Sequence, residues 1–328
     1  MKLKTLLLGS VAAMIAVSGA PAADSVVAEP EPIDYVKVCD MYGSGFFYIP
    51  GTETCLEISG SMRVQYEHAR LDTSSVGSFG YRTRVKFDAR NETDYGTLHS
   101  SIRLEGESHN NILVDSAIMT LSNGSGSLSA GYGDDFFTTN TEFGYPGNMV
   151  DGLYEYNQTA YMQYTYAVNG FSATAGIQGD DGDSDDVLFD SYVGASYSGS
   201  WGRVAATIIN DGRESTFDGD VAYSLFASLQ GIENLRVDGW YQSAGDEANN
   251  YVDGGEWQWG IGARYKVVDN FSVGGGYSDS DTSGNQYTIG FEWQPITNVS
   301  VEVDYHNQSL PSDRGDSDGY LFRISRSF

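Results

Sequence analysis

Seven tight turns punctuate this sequence: Asn91-Glu92-Thr93-Asp94, Asn123-Gly124, Asn169-Gly170, Gly199-Ser200, Gly231 to Asn234, Asp269-Asn270 and Pro295 to Asn298. Pairs such as Asn-Gly accept positive φ and suit two-residue hairpins. Around them lie eight longer connections, most of them acidic or Gly-rich. Sixteen segments of alternating polarity fit between the connections, at roughly 57–66, 80–90, 95–106, 112–122, 125–133, 158–168, 171–179, 187–198, 201–209, 217–230, 234–243, 256–267, 270–278, 285–294, 298–307 and 319–328. Most are near the ~10 residues that a tilted strand needs to cross a bilayer. Regular alternation of short and long connections puts the two kinds on opposite rims of one antiparallel barrel. A soluble sandwich has no reason for that regularity.

The two ends of the chain agree. Counting back from Phe328, Ile324, Phe322 and Tyr320 fall on one face of the last strand, and Ser327, Ser325 and Arg323 on the other. A strand between lipid and water needs that division, because successive side chains point to opposite sides. Arg326 interrupts the apolar face near the strand end, where an Arg reaches the headgroups. At the other end, Lys2 and Lys4 precede an apolar run from Leu6 to Val17, and Ala20-Pro21-Ala22 supplies small residues for cleavage after Ala22. This is a secretory leader, residues 1–22. After it no run of even a dozen apolar residues occurs, so a membrane location requires a closed barrel, which satisfies every backbone group in lipid.

With 40 Gly, 23 Tyr, 15 Phe and 5 Trp, the composition is that of a strand-rich chain, and no convincing amphipathic helix follows the leader. The formal charge of −27 includes the leader's two lysines, so the exported chain carries −29. Such acidity excludes nucleic acid as a partner. Much of it sits in loops such as Asp180 to Asp186. The two cysteines, Cys39 and Cys55, precede the first strand, and in an exported chain the simplest reading is a disulfide. Closing so short a loop stabilises the ordered form by about 3 kcal/mol. A metal pair is disfavoured, since no His or further Cys lies nearby. The expected organisation is a leader at 1–22, a segment 23–56 with the disulfide, and a barrel over 57–328.

Strand parity sorts the inner from the outer side chains. In the first strand Ile58, Met62 and Val64 face out, with Arg63 and Gln65 inside. In the second, Tyr81, Thr83, Val85 and Phe87 face out, placing Arg82, Arg84, Lys86 and Asp88 inside. In the third, Leu98, Ile102 and Leu104 face out, while His99, Arg103 and Glu105 face in. Five cations, Arg63, Arg82, Arg84, Lys86 and Arg103, thus converge on one wall in a chain that has few.

The segment Glu29-Pro30-Glu31-Pro32-Ile33-Asp34-Tyr35-Val36-Lys37-Val38-Cys39-Asp40, continuing from Tyr42-Gly43-Ser44-Gly45-Phe46-Phe47-Tyr48-Ile49-Pro50-Gly51-Thr52-Glu53-Thr54-Cys55-Leu56, closely resembles the opening of the alpha-proteobacterial general porins of the rhizobial and brucella type. The resemblance implies a homotrimeric, sixteen-stranded, all-β antiparallel barrel in the cell outer membrane. It would pass small hydrophilic solutes and ions and sit among outer-membrane lipids and lipopolysaccharide. Solute preference is not carried over. The resemblance also implies that the third surface loop, from Asp134 to Asn157, folds inward. That loop carries Asp134, Asp135, Glu142, Asp151 and Glu155, with Phe136, Phe137 and Phe143 to pack on the wall. Acids there, opposite the five cations, would set a transverse field that biases which ions enter. A solvated external loop is the competing reading.

Other chemistries find no support. His68, His99, His109 and His306 are dispersed, without metal spacing and without a marked nucleophile for a Ser-His-acid triad. Asp181, Asp183 and Asp185 lack the Gly and terminal Glu of a calcium loop. Gly274-Gly275-Gly276 lacks the strand–turn–helix setting of a phosphate loop. No metal, no cofactor and no enzymatic activity are expected. A structural or adhesive barrel and a barrel-borne lipid hydrolase are the competing functions, and no outward-facing Ser/His pair stands out for the second.

Overall fold

A computed structural model describes residues 37–71, 74–108, 112–140, 158–179, 189–212, 221–245, 250–252, 255–309 and 316–328. The leader, the 180–186 loop and His109 lie outside the described residues. A two-residue strand β1 (Phe47–Tyr48) precedes sixteen barrel strands: β2 (Cys55–Leu71), β3 (Ser74–Thr93), β4 (Gly96–Glu107), β5 (Leu113–Asn123), β6 (Gly126–Asp134), β7 (Gln158–Val168), β8 (Phe171–Gly179), β9 (Phe189–Gly199), β10 (Gly202–Asn210), β11 (Val221–Ile232), β12 (Leu235–Ser243), β13 (Trp257–Val268), β14 (Phe271–Ser280), β15 (Gly284–Ile296), β16 (Val299–Ser309) and β17 (Asp316–Ser327). Each pairs antiparallel with its sequence neighbours, and β17 pairs with β2 from Ser317↔Leu71 to Ser327↔Ser61. The sheet therefore closes and leaves no open edge around the barrel.

Local chemistry sets the turns. Asn169 and Gly170 both take positive φ, 49° and 82°, as a two-residue hairpin between β7 and β8 demands. Asn234 and Asn298 take φ of 61° and 63° at two other tight turns. All seven short connections fall on one rim, together with Phe328, which makes that rim the periplasmic one. The opposite rim is less uniform than turn chemistry alone suggests. Two of its eight connections are tight, between Leu71 and Ser74 and between Ser280 and Gly284. At the first of these the paired strands run on past the bilayer: β2 has 17 residues and β3 has 20. Apolar alternation fades where both faces meet water, but backbone pairing does not need it.

Outward residues carry the expected apolar load. Ile58, Met62, Val64, Tyr81 and Ile102 are exposed on the barrel exterior, and the last strand shows Tyr320, Phe322 and Ile324. Exposed tyrosines ring much of the exterior: Tyr164, Tyr197, Tyr223, Tyr241 and Tyr287. Amphipathic rings of this kind settle at headgroup depth. The outer faces of β4 and β5 instead pair Leu98 with Leu121, Ser100 with Met119 and Ile102 with Ala117. That patch has no aromatic residue.

Candidate functional site

The register keeps the inward parity of β2, β3 and β4 without a slip. Arg63 lies opposite Arg82, Arg84 opposite Glu105, and Lys86 opposite Arg103, so the five cations and Glu105 share one inner wall. The cations are interleaved with carboxylates. Arg84 Nε donates to Glu105 Oε2, which also lies 3.8 Å from Arg82 Nε, and Arg82 Nη1 is 4.0 Å from Glu107. Arg103 Nε donates to Asp115 Oδ2, an oxygen 3.9 Å from Arg84 Nε. Lys86 Nζ is 2.9 Å from Asp88, and His99 Nε2 is 2.7 Å from the other oxygen of that carboxyl. The wall is a lattice of alternating sign.

Asp115 was not legible as an inward residue, and a bulge is the reason. Arg103 pairs with Ser116 but the next residue, Leu104, pairs with Val114, so Asp115 is the extra residue of β5. A bulge resets parity and re-aims a side chain, here inward among the guanidinium groups. Asp115 is buried, and its bonds to Arg103 and Gln158, with the Arg84 guanidinium nearby, offset that burial. Pairing continues round the barrel: Arg323 with Glu302 and Gln65, Arg264 with Glu292, and Arg236 with Asp238.

Asp134 is the last residue of β6, so it stands on the wall rather than across from it. Its carboxylate lies 3.9 Å from Arg103 Nη2 and accepts from Gln158 Nε2 at 3.2 Å. Asp135, one residue on, caps the four-residue helix α1 (Phe136–Thr139), accepting from Thr138 N at 2.8 Å and Thr138 Oγ1 at 2.9 Å. Its side chain is buried, with its oxygens committed to the helix end. Glu142, Asp151 and Glu155 lie outside the described residues.

Beyond Asp135 the chain turns inward. Phe136 stacks on the inward-facing Tyr192 of β9, with centroids 4.9 Å apart and planes 13° from parallel. Phe137 enters a buried cluster of Tyr192, Ile209, Ala222, Tyr251 and Val252. Asn140 donates to Ala206 O at 3.1 Å and Thr207 Oγ1 at 2.8 Å, and accepts from Arg203 Nη2 at 2.9 Å. Gly194 makes this approach possible, since a Cβ there would meet the Phe136 ring at 2.5 Å. A cavity of about 160 Å³ remains between α1 and the wall, lined by Arg103, Ser116, Asp134, Phe136 and Tyr161 among others.

Tyr251 and Val252 belong to the connection after β12, whose 3₁₀ turn reaches across to α1. The Tyr251 ring sits 5.5 Å from that of Phe137. Its hydroxyl receives Gln178 Nε2 at 2.7 Å and donates to Asp190 Oδ2, while Asp190 Oδ1 accepts from Gly212 N at 2.9 Å. Two rim connections are thus packed against each other inside the wall. Nothing in the local sequence around Tyr251 signals this long-range contact. Among the described residues, no three potential metal ligands cluster.

Known proteins share both the sequence and the fold. The family described as the porin subfamily matches residues 24–318. Porin Omp2a of Brucella ovis is 35% identical over 312 residues, covering 81% of this chain and 86% of that protein. Porin Omp2b of Brucella abortus (strain 2308) is 33% identical over 313 residues, covering 81% and 82%. Two solved structures of mutant Rhodopseudomonas blastica porin superimpose with TM-scores of 0.66 and 0.67 at 16% identity, each covering 83% of this chain and 100% of the other.

Proposed function

The chain belongs to the porin subfamily and is an outer-membrane β-barrel channel, and we propose that its narrow point lies between the charged wall of β2–β6 and the inward-turning segment that begins at Asp135. Arg63, Arg82, Arg84, Lys86 and Arg103 form the cationic part of that ring, with Asp134 on the same wall. Asp135 positions the start of the loop through its helix cap, and the sequence after it supplies three further acids, Glu142, Asp151 and Glu155. The observation that carries this reading is the Arg–carboxylate lattice at the level where α1 enters the barrel interior.

Small hydrophilic solutes and ions are the expected cargo. A wall of alternating sign offers hydrogen bonds to polar solutes without a deep well for either sign of ion, so selectivity is weak. The acidity of the whole chain tips it towards cations, within a screening length of ~8 Å at physiological salt. The barrel works as a homotrimer. The aromatic-free patch on β4 and β5 suits contact with a neighbouring protomer, whereas the tyrosine-bearing strands suit lipid and lipopolysaccharide. Single-channel conductance and reversal potential of the purified protein in a planar bilayer test the channel and its preference together, and protein that inserts without conducting overturns the reading.

A further inference from the structure

The segment ahead of the barrel sits on the inner side of the wall. Cys55 pairs in register with Arg90, which has the inward parity of Arg84, Lys86 and Asp88. The Cys39–Cys55 disulfide therefore ties the preceding chain to the lumen side of β2 at the periplasmic rim. Cys39, Phe46 and Cys55 are buried together, with Tyr42 and Tyr48 packed on them. β1 lays Phe47 opposite Leu56 and Tyr48 opposite Cys55, and Cys39 N donates to Phe46 O at 2.9 Å.

This knob is docked on inward side chains. The Arg90 guanidinium lies 5.1 Å from the Phe46 ring centre and 5.8 Å from that of Tyr42, within cation–π range. Tyr42 Oη donates to Glu92 Oε1 at 2.8 Å, and Thr97 Oγ1 holds the same oxygen at 2.8 Å. Glu92 shares the parity of Arg90, so both anchors project from the inner face near the β3–β4 turn. Val38 and Met41 of the same segment remain 61% and 60% exposed.

We propose that the disulfide-closed knob, residues 39–55, is a fixed lip over the periplasmic mouth, a second narrowing in series with the third loop. The lip takes area from the mouth on the β2–β3 side, directly below the cationic wall. Its bond to Glu92 and its cover over Arg90 also decide which charges meet a solute leaving the channel. Solutes that clear the loop-side narrowing meet this lip next.

The test rests on the channel activity itself and compares three proteins in planar bilayers at high salt: the wild type, a Tyr42→Ala/Phe46→Ala variant and a Cys39→Ser/Cys55→Ser variant. Freeing the lip raises single-channel conductance and shifts upward the largest oligosaccharide that enters proteoliposomes. Barrel integrity is read from the heat-dependent shift in gel mobility. Intact variant barrels with wild-type conductance and size limit overturn the lip. Should either variant fail to assemble, Phe46→Ala protein is reduced after insertion, with free thiols confirmed by mass. A conductance rise then supports the lip, and none overturns it. A wild type that does not conduct refutes the channel reading instead, so the two failures are separable.

Discussion

Phe328 and Gly60 exchange both backbone hydrogen bonds, each 3.0 Å long, and the Phe328 ring occupies the space a side chain at residue 60 would need. A Cβ on Gly60 would come within 2.6 Å of the ring's Cζ and 2.7 Å of Arg84 O. The terminal residue thus extends the β17–β2 seam by one rung, with its ring beside Gly60 of β2. Gly60→Val must expel the ring and strain the seam. Overpacking of this kind costs roughly 1–3 kcal/mol. The temperature at which the folded band is lost on a gel should fall, and a value equal to wild type would contradict the fit described.

Replacing Arg82 and Arg84 together by Gln leaves Glu105, Glu107 and Asp115 with fewer counter-charges, since those carboxylates are their partners. Cation preference should rise, and conductance should increase as bulk is removed. Reversal potentials across a salt gradient measure the first and unit currents the second. If neither moves, these arginines do not line the narrow point.

The inward segment depends on a glycine and a cap. Gly194→Leu would drive into Phe136 and Asn140, which lie 2.5 and 3.0 Å from the Cβ position. Asp135→Ala removes the α1 cap, a loss of about 1 kcal/mol at a helix start. Both should leave the barrel assembled while raising current noise and the frequency of partial closures, the glycine change more strongly. Quiet wild-type traces from both variants would show that neither residue holds the segment in place.

Tyr251→Phe separates packing from hydrogen bonding in the contact between the two rim connections. The ring keeps its place beside Phe137, but Gln178 and Asp190 lose their shared partner in a buried setting. A buried carboxylate deprived of a donor costs about 1–3 kcal/mol. Open-channel noise should therefore increase with mean conductance nearly unchanged, whereas Tyr251→Ala should alter both. Identical traces for all three proteins would remove the connection after β12 from control of the loop.

Burial, then the bond to Glu92, pushes the Tyr42 phenol up to about 12. Its pKa is raised on docking, so the docked knob favours the neutral phenol. The stabilisation is whole below the ordinary tyrosine pKa of ~10 and fades as pH climbs through the raised value. An ultraviolet difference titration of wild type against Tyr42→Phe should show one late-ionising tyrosine. Its appearance near the ordinary value would mean the phenol is not held.

Most of the barrel was legible because lipid imposes a period of two on every strand it touches. β7, for example, begins and ends at Gln158 and Val168, where turn chemistry and alternation place it. The extensions of β2 and β3 were hidden because Ser74 to Gly80 have water on both sides and no apolar rhythm. Asp115 escaped because one extra residue inverts the parity that identified Arg82 and Arg103. Asp135 and Thr138 carry a cap pattern that can be read in the sequence, but the acidity of the loop points to charge instead. The contact of Tyr251 with Phe137 spans too many residues for any local signal.

Closure of the sheet by β17 on β2 has a consequence for biogenesis. Ser327 pairs with Ser61, so the seam joins the first segment of the barrel to reach the periplasm with the last. Until the final residues arrive, every partial sheet has two unpaired edges and an apolar outer face in water, the arrangement most prone to aggregate. Pairing of such distant segments is also slow, because a long loop must be closed before any contact compensates for it. Export must therefore deliver the whole chain, held apart from others like it, to a surface where the last strand can meet the first.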